Sequence, residues 1–274
     1  MARPRKTTSQ DNPEFARSSR QFVKSLSRGF EVLQAFIPHG SRLGNQEISS
    51  RTGLPKPTVS RITYTLAELG YLVYSSEKEN YRLGPGVLGL AQAFSSGTGI
   101  AEIANGPLQR LADETRGTTA IGQADLDDIV YIAMRRSVSR IMLRQSTGSR
   151  MPMATTAVGH AYLHAQPDEI RAAKVAKLAE MMGDQKARFL ELHERTGEEL
   201  RTNGYCVVAG FWEPDINGAA TAFKLDDGQG VLSMNIGGPA FWLSEESLYG
   251  EVGEKLMQTR EALIKAGIQK LNLL

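Results

Sequence analysis

The chain has 274 residues, 41% of them hydrophobic and 23% charged, proportions that suit a globular protein with room for two cored domains. A single cysteine, Cys206, excludes an intrachain disulfide and a thiolate cluster for zinc, and no run approaches the roughly 18 to 20 continuous apolar residues of a membrane helix. The net charge of +2 conceals an asymmetry: residues 1–88 hold 13 Lys and Arg against 7 Asp and Glu, whereas the rest hold 19 against 23. A basic N-terminal part points to a nucleic-acid footprint, and the acidic remainder to a different task. With no apolar secretory core at the start, a cytoplasmic location is expected.

Residues 1–20 are polar and aperiodic and carry Arg3, Arg5, Lys6, Arg17 and Arg20, the composition of a basic disordered arm. From Val23 to Phe36, Val23, Leu26, Phe30, Leu33 and Phe36 repeat every three or four positions, which predicts an amphipathic helix ended by Pro38, His39 and Gly40. The stretch 45–66, NQEISSRTGLPKPTVSRITYTL, reads as two short helices joined by a tight turn. Asn45 is the expected N-cap, Gly53 the left-handed stop, and Ser49 the small residue where the helices approach. Pro55 and Pro57 fit the first turn of the second helix, whose first amides have no intrahelical partner. Val59, Ile62, Leu66 and Leu69 are expected to be buried. Lys56, Thr58, Ser60, Arg61 and Thr63 then remain to meet phosphates and base edges, the pattern of a helix-turn-helix. Two β-prone runs, Tyr71 to Tyr74 and Tyr81 to Leu83, predict a hairpin wing from which Lys78 and Arg82 reach phosphates.

A linker helix is expected over residues 84–105, its stripe of Val87, Leu88, Leu90, Ala91 and Phe94 buried against a second copy or against its own chain. Beyond it, helix 103–115 precedes strands near 118–124, 129–135 and 141–145. Helices follow at 157–165, 169–182 and 185–203, then strands near 205–211, 219–225 and 230–236 and a last helix over 245–266. Blocks of strands divided by a block of helices predict an α+β domain with a mostly antiparallel sheet. In VLSMNIG, Leu232, Met234 and Ile236 belong to a core, while Ser233, Asn235 and Gly237 line either a concave ligand floor or an exposed face.

Taken together, SLSRGFEVLQAF, GLPKPTVSRITYTLAELGYL and YRLGPGVLGLA resemble the first helix, recognition segment, and wing with linker of the IclR family of bacterial transcriptional regulators. PMATTAVGHAYLHA, NGYCVV and MNIGGP resemble the hallmark stretches of its GAF-like effector domain, so the likeness runs from about Val23 to Leu263. It implies a basic arm (1–20), a winged helix-turn-helix domain (21–86), a linker helix (87–104) and an effector-binding and oligomerisation domain (105–274). The expected partners are a double-stranded DNA operator, a small organic effector and further copies of the chain as homodimer or homotetramer, with no membrane and no cofactor. The resemblance implies an effector site at Gly148, Ser149, Ala154, Thr155, Thr156, Ala209, Phe211, Gly218, Asn235 and Gly237, with the helix N-terminus near Ala154 to Ala157 suited to a carboxylate.

The chain departs from the family pattern where an acidic run often follows the Gly-Tyr pair. Here Cys206 to Trp212 is apolar, and Gly218 replaces a usual Cys. Phe211 and Trp212 fit either an apolar cavity wall or a core. Pro57, where many relatives carry Ser, removes a possible phosphate contact. The rival readings are an enzyme, or a metabolite sensor that uses the C-terminal cup without an operator. No HExxH, GxSxG or phosphate-cradling loop supports catalysis. His160 and His164, four residues apart, read as a helix face lacking a third ligand, so no metal site is expected.

Overall fold

The computed structural model describes residues 21–37, 42–137, 145–226 and 230–271. The basic arm, the expected turn at Pro38, His39 and Gly40, and all but Gln145 of the expected strand at 141–145 lie outside them. The chain divides into two compact units at Ala93/Phe94.

In the N-terminal unit, helices α1 (Lys24–Gln34), α2 (Asn45–Thr52) and α3 (Lys56–Glu68) precede an antiparallel hairpin, β1 (Leu72–Ser75) and β2 (Asn80–Leu83). Val32, Phe36, Leu43, Ile48, Leu54, Val59, Leu66, Leu72 and Tyr81 form one core. The helix α1 stripe is turned from its expected phase. Val32 and Phe36, four apart, go inward, while Val23, Leu26 and Phe30 are exposed. Gly53 takes a left-handed φ of 70° and donates its amide to the Ser49 carbonyl, and the Ser49 hydroxyl donates to the Leu54 carbonyl at 2.6 Å. The small residue therefore ties the turn as well as making room for it. The N-cap is Gly44, not Asn45; its amide is held by the Glu47 carboxylate at 2.8 Å, and Asn45 becomes the first helical residue. Gly84 is required where the chain leaves the wing, because a Cβ there would sit 2.3 Å from the Gly70 carbonyl oxygen.

The expected linker helix and the helix after it are both present, as α4 (Gly86–Thr98) and α5 (Ile100–Thr115), but they meet at Gly99, φ 63°, several residues earlier than the expected boundary near 103–105. Glycine adopts that left-handed conformation without a Cβ penalty, and it cannot continue the right-handed helix α4.

The C-terminal unit is a six-stranded sheet in the order β5-β4-β3-β8-β7-β6, with every named pairing antiparallel. Its strands are β3 (Thr118–Asp125), β4 (Asp128–Arg136), β5 (Arg150–Pro152), β6 (Cys206–Ala209), β7 (Ile216–Lys224) and β8 (Val231–Pro239). Helices α6 (Ala157–Ala165), α7 (Asp168–Met181) and α8 (Lys186–Asn203) lie between β5 and β6, and α9 (Glu245–Tyr249) and α10 (Glu251–Lys265) close the chain. The last helix, expected to be continuous, breaks at Gly250.

Both faces of the sheet are covered. Leu232, Met234 and Ile236 join α5 and α10 in one core, which includes Leu108, Leu111, Leu256 and Leu263. Ala120, Tyr131, Cys206, Val208 and Ala220 face α6, α7 and α8 in the other, with Val158, Leu178 and Phe189. The alternation in β8 follows: Ser233 and Gly237 are buried on the second face, so the exposed-face alternative is excluded.

Candidate functional site

Two regions gather the candidate residues. In the first, the outer side of α3 presents Lys56, Ser60 and Arg61 as exposed side chains, with Thr58 half-buried beside them. Lys78 at the wing tip and Arg82 on β2 are also exposed, and the Arg82 guanidinium lies 3.3 Å from the Leu83 carbonyl. Arg51, at the end of α2, donates to the Ala35 carbonyl at 2.9 Å and so locks α1 to α2.

Thr63 does not belong to this surface. It is completely buried, and its hydroxyl lies 3.0 Å from the Val59 carbonyl, 3.1 Å from that of Ser60 and 3.3 Å from Asn45 Oδ1. Its hydroxyl is satisfied inside the helix pair, which is why a polar residue occupies an inward position. Leu69, expected inside, is the C-cap that follows Glu68 at the end of α3 and is 62% exposed. Tyr64 and Thr65 also stand outward, and the Thr65 hydroxyl is turned back to the Arg61 carbonyl at 2.9 Å.

The second region is a cavity of about 50 Å³ between the sheet and the start of α6. Its floor follows the strand register. Thr118 pairs with Gly237, Gly237 with Gly218, and Gly218 with Val208, so one row across β3, β8, β7 and β6 lies under it. Tyr131, Met151, Trp212 and Ile216 supply apolar walls, and Thr155, Asn217, Asn235 and Gln145 supply polar groups. No Lys, Arg, Asp, Glu or His lines it among the described residues.

Burial pushes the Tyr131 phenol well above its ordinary pKa, against the smaller effect of a hydrogen bond from Asn235, so it remains a neutral hydroxyl. The buried Asn235 Oδ1 and Gln145 Oε1 atoms have no partner among the described residues. Each is an acceptor without a donor, and a bound molecule carrying an N–H or O–H would satisfy it.

Thr156 caps α6. Its hydroxyl donates to the Pro152 carbonyl at 2.7 Å and accepts the Gly159 amide at 3.2 Å. With that hydroxyl committed, the residue presents the cavity with a helix N-terminus, at which Ala157 and Val158 line the wall.

Thr155, Thr156, Gly218, Asn235 and Gly237 therefore converge on the cavity, and the other five expected residues do not line it. Gly148 and Ser149 lie one step behind: the Gly148 amide donates to the Tyr131 carbonyl, and the Ser149 carbonyl accepts from the Tyr131 amide, fixing that strand. Ala154 is in the core. Ala209 is displaced by Val208 because β6 turns the opposite residue set toward α6. Phe211 is buried under the Arg188 guanidinium, 4.4 Å from its ring centroid, and Trp212 takes the wall position after the left-handed kink at Gly210. Tyr131, Met151 and Ile216 were not legible as cavity residues, since only strand pairing brings them together.

The family model described as IclR helix-turn-helix domain matches residues 25–76, and that described as Bacterial transcriptional regulator IclR C-terminal matches residues 92–264. The chain is 30% identical over 238 residues to the HTH-type transcriptional regulator TsaQ1/TsaQ2 of Comamonas testosteroni, covering 86% of this chain and 85% of that one. It is 33% identical over 224 residues to the Pca regulon regulatory protein of Pseudomonas putida, covering 78% and 74%. The crystal structure of an IclR family transcriptional regulator from Brucella abortus superposes with a TM-score of 0.77 at 35% identity, covering 91% of this chain and 94% of that one. With both its helix-turn-helix unit and its sheet-built unit matched, the chain belongs to the IclR family of ligand-responsive, DNA-binding bacterial transcriptional regulators.

Proposed function

We propose that this protein holds an operator in duplex DNA through Lys56, Thr58, Ser60 and Arg61 of α3 and Lys78 and Arg82 of the wing. Its grip is set by a compact organic acid with an aromatic or otherwise apolar body, which the cavity of about 50 Å³ widens to admit. The observation that carries the effector reading is the cavity's polarity: apolar walls, including Trp212, end at the N-terminus of α6, with no cationic side chain beside it among the described residues. A carboxylate there is held by main-chain amides, and the rest of the molecule by dispersion and desolvation. We read the cavity as a sensor and not a catalytic centre, and assign the controlled genes to small-molecule metabolism in the cytoplasm. Helix α4 buries none of its residues, leaving Leu88, Leu90 and Phe94 exposed, which supports a homodimer formed through that helix.

The test is fluorescence anisotropy of the purified protein on its own upstream region and on random duplex of equal length, with benzoate-type acids and with very small polar acids. The reading expects a preference for the upstream region that apolar acids alter. No preference, or a response confined to glyoxylate-sized acids, rejects it. Light scattering on the same samples distinguishes dimer from tetramer.

A further inference from the structure

Helices α6 and α8 bring three histidines together outside the cavity: His160, His164 and His193, one potential ligand atom from each lying within 4.8 Å of the others. The sequence shows only the first two at helical spacing; the third arrives 29 residues later, which is why no metal site was expected. The His164 and His193 rings stack at 4.1 Å, and the His160 ring is 5.8 Å from that of His193. His160 is fully buried, and the other two are partly buried.

Two of the rings are oriented by hydrogen bonds to the groups around them. His160 Nε2 faces the Ala154 carbonyl at 3.1 Å, which accepts only, so this nitrogen carries the proton and Nδ1 keeps its lone pair. That Nδ1 lies 3.0 Å from the Thr196 hydroxyl. His164 Nε2 faces the His193 carbonyl at 2.9 Å, which places its proton on Nε2 and a lone pair on Nδ1. A ring nitrogen tied to a carbonyl while the other stays basic is the arrangement that orients metal-binding imidazoles. His193 Nδ1 is buried without a hydrogen-bond partner among the described residues, a desolvation cost that a bound ion would offset. Gly197 provides the space, since a Cβ there would lie 2.6 Å from His164 Cε1.

We propose that His160, His164 and His193 form a binding site for a borderline divalent transition ion of the zinc, cobalt or nickel type. Three imidazoles suit such ions, whereas magnesium and calcium require oxygen ligands that this cluster does not supply. The Thr196 hydroxyl or a water completes the coordination. The ion joins α6 to α8, and the same α6 begins at the effector cavity one turn earlier. Metal occupancy would therefore stiffen the helix whose N-terminus receives the effector.

The experiment uses untagged full-length protein, stripped with a chelator, desalted and titrated with Co²⁺ under ultraviolet and visible absorption. One equivalent per chain with the ligand-field bands of nitrogen-ligated cobalt is expected, displaced by Zn²⁺. His193→Asn and His164→Asn should each weaken binding at least about tenfold, while His39→Asn, which changes the remaining histidine, should bind as the parent does. Circular dichroism establishes that each variant is folded. Absence of a bound equivalent in the folded parent overturns the site whatever the variants do, as does an unchanged cobalt spectrum in both folded cluster variants. These readouts require neither DNA nor effector, so they stand apart from the proposed regulatory function.

Discussion

Gly218 and Gly237 face each other across β7 and β8, and both lie under the cavity. Their surroundings differ. A Cβ on Gly237 would meet its nearest atom at an ordinary 3.6 Å, whereas one on Gly218 would lie 3.0 Å from the Ile236 carbonyl oxygen, a backbone atom that cannot swing aside. Gly237→Val should therefore fill the cavity, abolish the effector's influence on DNA affinity and leave DNA binding alone intact. Gly218→Ala should instead lower stability, by about 1 kcal/mol. Anisotropy with and without effector, paired with urea melts, separates the two; an unaltered response in folded Gly237→Val would remove this row from the effector site.

Thr63 and Arg61, two residues apart on α3, should give opposite results. Thr63→Val keeps the shape but loses the internal hydroxyl contacts to Asn45 and the helix carbonyls, so the melting temperature should fall with little change in the salt dependence of DNA binding. Arg61→Ala should leave stability within about 0.5 kcal/mol and weaken operator binding. If the guanidinium neutralises one phosphate, the slope of log affinity against log salt should drop by about 1. Equal salt slopes in parent and Arg61→Ala would show that it touches no phosphate.

Leu90 tests the assignment of α4 to self-association. Placing a charge within an apolar contact between copies is unfavourable, so Leu90→Glu should shift the protein toward monomer and weaken operator binding without unfolding either unit. Sedimentation velocity gives the mass directly, and an unchanged assembly would clear this helix of the role.

Acid should weaken the fold through the histidine cluster. Burial lowers His160 to about 3 and, with His164 and Arg171 adding to it, lowers His193 to about 4, against an ordinary value of 6.5. Both folded values are depressed, so below pH 6.5 the unfolded chain takes up protons that the folded chain refuses. The contribution is complete above that pH and declines as pH falls toward 4 and then 3. In chelator, the urea midpoint should drop between about pH 7.5 and pH 5, and drop less in His160→Asn. Parallel declines in the two proteins would assign the acid sensitivity elsewhere.

The sequence carried most of the architecture because its signals are local. Gly53 after a short amphipathic run, paired prolines at a helix start, and the alternation of Leu232, Met234 and Ile236 each have a nearby physical cause. What escaped it depends on neighbours distant in the chain. Thr63 and Arg61 are both polar residues on α3, and it is the packing of α2, with Asn45 beside the Thr63 hydroxyl, that distinguishes them. Phe211 and Trp212 were indistinguishable until Gly210 reversed the backbone and Arg188 covered the first ring. Cavity residues Tyr131 and Met151 belong to strands paired through register, which composition does not encode. Likewise, His193 joins His160 only because α8 packs on α6.

The committed hydroxyl of Thr156 bears on how this regulator could diversify. If main-chain amides hold the acid end of a ligand, that end is independent of side-chain identity and persists through sequence drift. Selectivity is then left to Trp212, Met151, Val208 and Ile216, any of which can be exchanged without dismantling the anchor. A lineage built this way could change which compound it senses by altering one wall of a small chamber while the shared carboxylate grip, and the mechanism coupled to it, stays as it was.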